Sequence, residues 1–231
     1  MKKLVVLSGA GISAESGIKT FRDADGLWEG HNVMDVASPE GFHRNPELVL
    51  EFYNQRRKQL AEVMPNYAHQ QLAELEKNYE VVIITQNVDD LHERAGSTNI
   101  LHLHGELLKA RSVENSDEII EWKGDLVLGD LNAKGEQLRP HIVWFGEDVP
   151  VMMQAAPEVV SADIILVIGT SMQVYPAAGL VGLAKSDAQV FYIDPIPKIN
   201  YELSQSENLT VIEKTATEGI DLFITQIKKY S

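Results

Sequence analysis

The sequence predicts an α/β fold in which a parallel β-sheet carries helices on both faces. Short apolar, β-branched runs recur at residues 4–7, 81–85, 100–102, 141–145, 164–168 and 190–193, and longer helical patterns alternate with them. Runs apolar throughout suit strands buried on both faces, and their alternation with helices marks a doubly wound sheet. The chain has 231 residues, 44% of them hydrophobic, which is enough for one large domain with a real core and a small insert.

The elements follow in order. Residues 1–7 resemble the start of a signal peptide, but Ser8-Gly9-Ala10-Gly11 interrupts after four apolar residues. That run is too short for a signal core, so it is read as the first strand and a cytoplasmic protein is expected. The clearest helix spans 46–64, with Asn45 as N-cap, Pro46 at the first helical position and Pro65 beyond its end. Further helices are expected at 68–77, 151–160, 177–185 and 218–229. Residues 106–138 are polar, Gly-containing and weakly periodic. They read as a small inserted module within a single catalytic domain spanning 1–231.

Composition removes several classes of function. There is no cysteine, so disulfides, thiolate catalysis and Cys-ligated zinc are excluded. The net charge of -14, with no basic run, disfavours nucleic acid and speaks mainly for solubility. No apolar run approaches the roughly 20 residues of a membrane span. A monomer is expected.

The first strand leads into Gly9-Ala10-Gly11-Ile12-Ser13-Ala14, which fits G-x-G-x-x-G/A. Such glycines allow a tight turn and let the backbone approach a pyrophosphate. A hydride-transfer enzyme would then show a second strand and an acidic residue about 20 residues on. Here a loop follows instead, holding Phe21, Arg22 and Trp28.

That loop, Gly9-Ala10-Gly11-Ile12-Ser13 with Gly17-Ile18, Phe21-Arg22 and Gly26-Leu27-Trp28, resembles the cofactor loop of the sirtuins. Four further stretches match the family in order. They are Gln86-Asn87-Val88-Asp89 with Leu91-His92; Leu103-His104-Gly105; Pro140-His141-Ile142-Val143-Trp144-Phe145-Gly146-Glu147; and Gly169-Thr170-Ser171 with Val174 and Pro176-Ala177. The resemblance implies a Rossmann-like domain that uses NAD as co-substrate to move an acyl group from lysine to ADP-ribose, releasing nicotinamide.

Roles follow from the resemblance residue by residue. Asp89 is implied to hold the nicotinamide carboxamide, and Gln86 and Asn87 the nearby ribose and a water. On residue types alone, Asn87 and Asp89 could equally cap the next helix. His104 is implied to be the general base, a job its near-neutral pKa suits. His102 and His104 flank Leu103 and are expected to face different ways, one into the cleft. Gly105 is expected to let a ligand approach closely. Gly169, Thr170 and Ser171 are implied to meet the adenosine side, although Ser and Thr also favour plain turns. Asp194 stands where many members have Asn, and Ala216 where a backbone contact to adenine is usual. Val143, Phe145, Gly146 and Glu147, with Val174 opposite, are implied to hold an extended acyl-lysine peptide, Val143 and Phe145 lining its lysine tunnel.

Two departures refine the expectation. Most sirtuins fasten a small module with four cysteines on zinc, yet 106–138 contains neither Cys nor His. No zinc is expected, and Leu108, Ile119, Ile120, Trp122, Leu126 and Leu128 are expected to hold the module. The second departure lies on the 46–64 helix, whose apolar stripe Val49, Phe52, Tyr53, Leu60 and Val63 also carries Arg56. Arg56 could snorkel to water or meet a local acid. Tyr53-x-x-Arg56 also matches the pair in the desuccinylase and demalonylase branch, and Ala37 a small residue that widens its acyl pocket. The expected activity is therefore deacylation of acidic acyl-lysines, with deacetylation retained. A plain deacetylase, an NAD glycohydrolase and a non-catalytic NAD sensor are the alternatives.

Overall fold

A computed structural model of the chain describes residues 1–19, 27–114 and 117–230. Six parallel strands form the main sheet: β1 (Lys3–Ser8), β4 (Glu80–Thr85), β5 (Ile100–His102), β9 (Ile164–Ile168), β10 (Gln189–Ile193) and β11 (Leu209–Ile212). Between them in the chain come a short hairpin, β2 (Leu27–Trp28) with β3 (His31–Asn32), and an antiparallel trio of β6 (Gly105–Ser112), β7 (Ile119–Glu121) and β8 (Leu138–Ile142). The helices are α1 (Gly11–Ala14), α2 (Val33–Val36), α3 (Pro39–Arg44), α4 (Pro46–Glu62), α5 (Tyr67–Leu75), α6 (Leu91–Ala95), α7 (Met152–Ser161), α8 (Tyr201–Ser204) and α9 (Ala216–Ile227).

Alternation along β1 builds a core on each face of the sheet. Leu4 and Val6 pack with Ile83, Leu166, Leu72 of α5 and Phe223 of α9. Val5 and Leu7 face the other way, toward Val159 of α7 and Leu180. A third core, away from the sheet, joins Val49, Phe52, Tyr53 and Leu60 of α4 to Leu107, Ile142 and Trp144. The expected stripe is thus the buried one, with Val63 half-buried at its end.

The α4 boundaries follow from local chemistry. Asn45 accepts from the Leu48 N–H, Pro46 occupies the first turn, and the chain turns extended at Val63 ahead of Pro65. Asn66 and His69 form a reciprocal cap on α5.

Three expectations need correction. The run 141–145 does not join the parallel sheet: His141 and Ile142 end β8, which is antiparallel to β6. It is apolar because Ile142 and Trp144 enter the α4 core. Residues 177–185 form a 3₁₀ turn, Ala177–Leu183, in which Gly179 and Gly182 weaken an α-helix. The edge strand β11 is only partly buried and gave too faint a pattern to be read. Among the described residues, no helix is long and apolar enough to cross a membrane.

The antiparallel trio is held differently from expectation. Leu126 is fully buried with Leu50, Ala110 and Leu138, and Ile120 and Trp122 pack beside them. Leu108 joins the α4 core, while Ile119 and Leu128 are exposed. Much of the attachment is polar. The Asn54 amide donates to the Leu126 carbonyl (3.1 Å) and accepts its N–H (2.8 Å), and buried Arg57 donates to the Leu107 carbonyl (2.9 Å).

Candidate functional site

The spatial order of the sheet is β11-β10-β9-β1-β4-β5. After β1 the chain builds outward through β4 and β5, then crosses to β9 and builds the other way. The switch point lies between β1 and β9, where open parallel sheets bind ligands at their carboxyl ends. A cavity of about 330 Å³ opens there. Gly9, Ala10 and Gly11 line it from the end of β1, Gln86, Asn87 and Asp89 from β4, and Gly169, Thr170 and Ser171 from β9.

The glycines answer first to the chain itself. A Cβ on Gly11 would lie 2.7 Å from the Gly169 backbone, and the Gly11 N–H donates to the Gly169 carbonyl at 2.7 Å. The two loops meet so closely that no side chain fits between them.

Behind the cavity wall runs a buried polar web. Asn87 donates to the Gly9 carbonyl and the Ser13 hydroxyl, both at 3.2 Å, and Ser13 donates to Asp89 at 3.0 Å. Ser13 thus positions Asp89 rather than lining the cavity. Burial pushes the Asp89 carboxyl up to about 6, against the opposing bonds from the Leu91 N–H and Ser13. Gln86 donates to the Thr170 hydroxyl at 3.1 Å and so ties the β4 and β9 loops together.

The two histidines part company, but not by strand alternation, since residues two apart on a strand share a face. The strand ends at His102, and a turn carries His104 into the cavity. His104 Nδ1 bonds the Gln86 carbonyl at 3.0 Å. A carbonyl only accepts, so Nδ1 carries the proton and Nε2 is the basic nitrogen. Burial lowers the His104 pKa, with the Gln86 bond partly offsetting it, so the neutral base is the resting form. His102 is spanned by the Asn87 carbonyl (3.0 Å) and the Glu93 carboxylate (2.7 Å). Burial opposes its charge more than any single contact supports it, but the Glu93 bond and charge, the Asn87 carbonyl and the Glu106 charge together raise its pKa.

Gly105 serves the fold rather than a ligand. It has φ +83, and a Cβ there would lie 2.1 Å from the His141 carbonyl oxygen. The close approach is that of β8, and it seats 143–147 beside His104, whose carbonyl accepts the Val143 N–H at 2.9 Å.

The far wall of the cavity comes from α4 and residues 142–149. Ala37, Tyr53 and Arg56 line it together with Val143, Phe145 and Gly146, the Phe145 N–H donating to the Ala37 carbonyl at 3.0 Å, and Val174 lines it from the segment after β9. The Tyr53 hydroxyl accepts from the indole N–H of Trp144 at 3.0 Å. Arg56 lies against the Phe52 ring, with Nε and Nη1 buried and without a hydrogen-bond partner among the described residues. Burial lowers its pKa, countered by the charge of Glu29, which also lines the cavity.

Glu147 lines the cavity, but its carboxylate is committed elsewhere. Arg139 grips it with two bonds of 2.6 and 3.1 Å, Arg111 with one of 3.0 Å, and the Trp144 N–H with one of 2.8 Å. Burial would raise this carboxyl, but Arg139, the Trp144 N–H and Arg111 hold it below the usual range. Its observed work is to hold the shape of 142–147. Arg111 and Arg139 were not anticipated, because only the antiparallel register brings positions so far apart to one carboxylate.

Besides Ser13, two expected contacts do not reach the cavity lining. Asp194 is buried with its carboxylate accepting from the Ile196 N–H at 2.9 Å, and Ala216 is buried at the start of α9. Asp194 holds the turn after β10, and Ala216 packs into the core beside Ile193 and Ile212. Phe21 and Arg22 lie outside the described residues. Trp28 lines the cavity from the hairpin, whose turn residues Glu29 and Gly30 both have positive φ.

Comparison with known proteins decides the family: the Sir2 family model matches residues 9–176. The chain belongs to the Sir2 family. A Helicobacter pylori relative, an NAD-dependent protein deacylase, is 61% identical over 220 residues, spanning 95% of both chains. A solved Sir2 homolog–NAD complex is 39% identical with a TM-score of 0.86, covering 99% of this chain and 90% of that one. A Sir2 bound to acetylated peptide is 26% identical with a TM-score of 0.78, covering 96% and 92%.

Proposed function

We propose that this Sir2 protein is an NAD-dependent protein-lysine deacylase, that it prefers acyl groups ending in a carboxylate, and that it also removes acetyl groups. The deacylase reading rests on the family, on relatives that carry that activity in their names, and on a cavity that joins His104, Asn87, Asp89 and the two glycine loops. The acyl preference rests on one observation: Arg56 presents two buried N–H groups without a partner among the described residues, in the wall of the cavity that holds His104 and Tyr53. Buried donors without acceptors are costly, and a ligand carboxylate would satisfy them.

The residues present fit NAD. The touching glycine loops leave backbone bare at the switch point, which suits a pyrophosphate. Asp89, Asn87 and Gln86 would face its nicotinamide end, and Ser171 and Thr170 its adenosine side. Bound there, NAD would supply an electrophilic ribose carbon that bonds the acyl oxygen of the acyl-lysine as its bond to nicotinamide breaks. His104, neutral and held by the Gln86 carbonyl, removes a proton from a ribose hydroxyl through Nε2. Residues 143–147 and the segment around Val174 hold the peptide from its two sides and orient the acyl-lysine. The antiparallel trio is proposed to work without zinc, and the protein to act as one cytoplasmic catalytic domain.

The test is nicotinamide release from NAD with acetyl, malonyl, succinyl and glutaryl peptides. Release that requires peptide, and is more efficient with acidic acyl groups, is expected. Release without peptide would mark a glycohydrolase, none at all a sensor, and acetyl preference a plain deacetylase.

A further inference from the structure

The acyl-carboxylate reading leaves open what fixes the Tyr53 hydroxyl. A phenol rotates its proton freely unless a neighbour assigns it a role. The neighbour is Trp144, whose indole Nε1–H lies 3.0 Å from the Tyr53 oxygen. An indole N–H can only donate, so the tyrosine oxygen is the acceptor in this bond and its own proton must point elsewhere. Tyr53 is fully buried yet lines the cavity beside Arg56.

Trp144 is itself immobilised from several sides. The Arg139 guanidinium stacks 3.3 Å above its ring, the Phe42 ring lies 5.4 Å away, and its backbone N–H is bonded to Glu147. Arg139 is in turn fixed by Glu147. The ion cluster thus holds the indole, and the indole sets the phenol.

We propose that Trp144 is a positioning residue for acyl specificity: its indole N–H occupies the Tyr53 oxygen and directs the Tyr53 proton to the terminal carboxylate of an acidic acyl group. This rests on the proposed preference for such groups. An acetyl group has no terminal carboxylate, so the Trp144 bond bears on acidic acyl groups selectively.

Trp144→Phe keeps a ring against Arg139 and Phe42 and deletes the donor, together with part of the ring volume. It should lower the succinyl-to-acetyl ratio of kcat/KM about threefold to tenfold, the worth of one hydrogen bond, with the loss in KM for the succinyl peptide. In a Tyr53→Phe background the same change should lower the ratio no further, because the bond is already gone. A further drop there, or equal losses on both peptides in the single variant, would show that Trp144 acts only through the fold and would overturn the proposal. If Arg56→Met and Tyr53→Phe lower the ratio while Trp144→Phe does not, the acyl preference stands and the positioning role fails. If none of the three moves the ratio, both readings fail together. Should Trp144→Phe not fold, 3-benzothienylalanine at 144 replaces the N–H with sulfur in a ring of matching size and supports the same comparison.

Discussion

Arg56 tests residue-scale reasoning most sharply, because its sequence context allowed a harmless outcome. A long cation on an apolar stripe usually snorkels to water. Here the guanidinium stays by the cavity with Nε and Nη1 buried and unpartnered among the described residues. Removing one partner of a buried, hydrogen-bonded charge pair costs about 2–5 kcal/mol. Arg56→Met should therefore reduce desuccinylation efficiency roughly 30-fold or more, at about 1.4 kcal/mol per factor of ten. Deacetylation should fall much less, and lysine should rescue poorly because it lacks the planar fork. Matched succinyl and acetyl peptides give the comparison, and equal losses would reassign Arg56 to the fold. The place of Arg56 on the stripe, one turn after Tyr53, was legible because both residues are local, on one helix. The Trp144–Tyr53 bond was not legible, since it joins residues 91 positions apart.

At the scale of the element, α4 does two jobs with two faces. One face lines the cavity, and the other fastens the antiparallel trio through Asn54 and Arg57. Asn54 satisfies both backbone groups of Leu126 and also accepts from Arg57 at 2.8 Å. Asn54→Ala would leave three buried polar groups short of a partner, each worth about 1–3 kcal/mol. A loss of about 2 kcal/mol or more in unfolding free energy is expected. Lys58→Ala, which breaks the exposed Lys58–Asp125 pair next to it, should cost far less, because solvent screens that pair. Urea unfolding of the two variants decides the matter, and similar losses would mean that the trio is held by its apolar contacts alone. In the sequence Asn54 and Arg57 read as ordinary polar positions on a helix. Their partners lie in the weakly periodic segments that gave no strand pattern.

For the whole molecule, the parallel sheet was legible because burial on both faces leaves continuous apolar runs, as in 164–168 and 81–85. The small sheet was not, because its strands are partly exposed and long-range pairing sets its register. Buried histidines also went unnoticed, and they make stability depend on pH. His69 and His92 pack edge to face 4.9 Å apart, and His92 bonds the Ser8 hydroxyl of β1 at 3.0 Å. Burial lowers the pKa of His69 to about 4 and that of His92 well below its ordinary value, and it lowers half-buried His141 to about 4. Above about pH 6.5 these rings are neutral whether the chain is folded or not, and they add no pH dependence. Between about 6.5 and 4 the unfolded chain takes up protons that the fold refuses, so stability falls as pH falls. Asp89 works in the opposite sense. Its folded pKa of about 6 lies above the unfolded value, so it gains a proton in the fold over the same range and offsets about one histidine. The net sign remains destabilising, because the histidines outnumber it. Unfolding free energy from urea titrations should thus drop from about pH 6.5 to 4.5. His69→Gln removes one refused proton and should flatten that slope by up to about 1.4 kcal/mol per pH unit. A profile that is flat in the wild type, or unchanged by the substitution, would show that these rings are protonated in the fold as readily as in the unfolded chain.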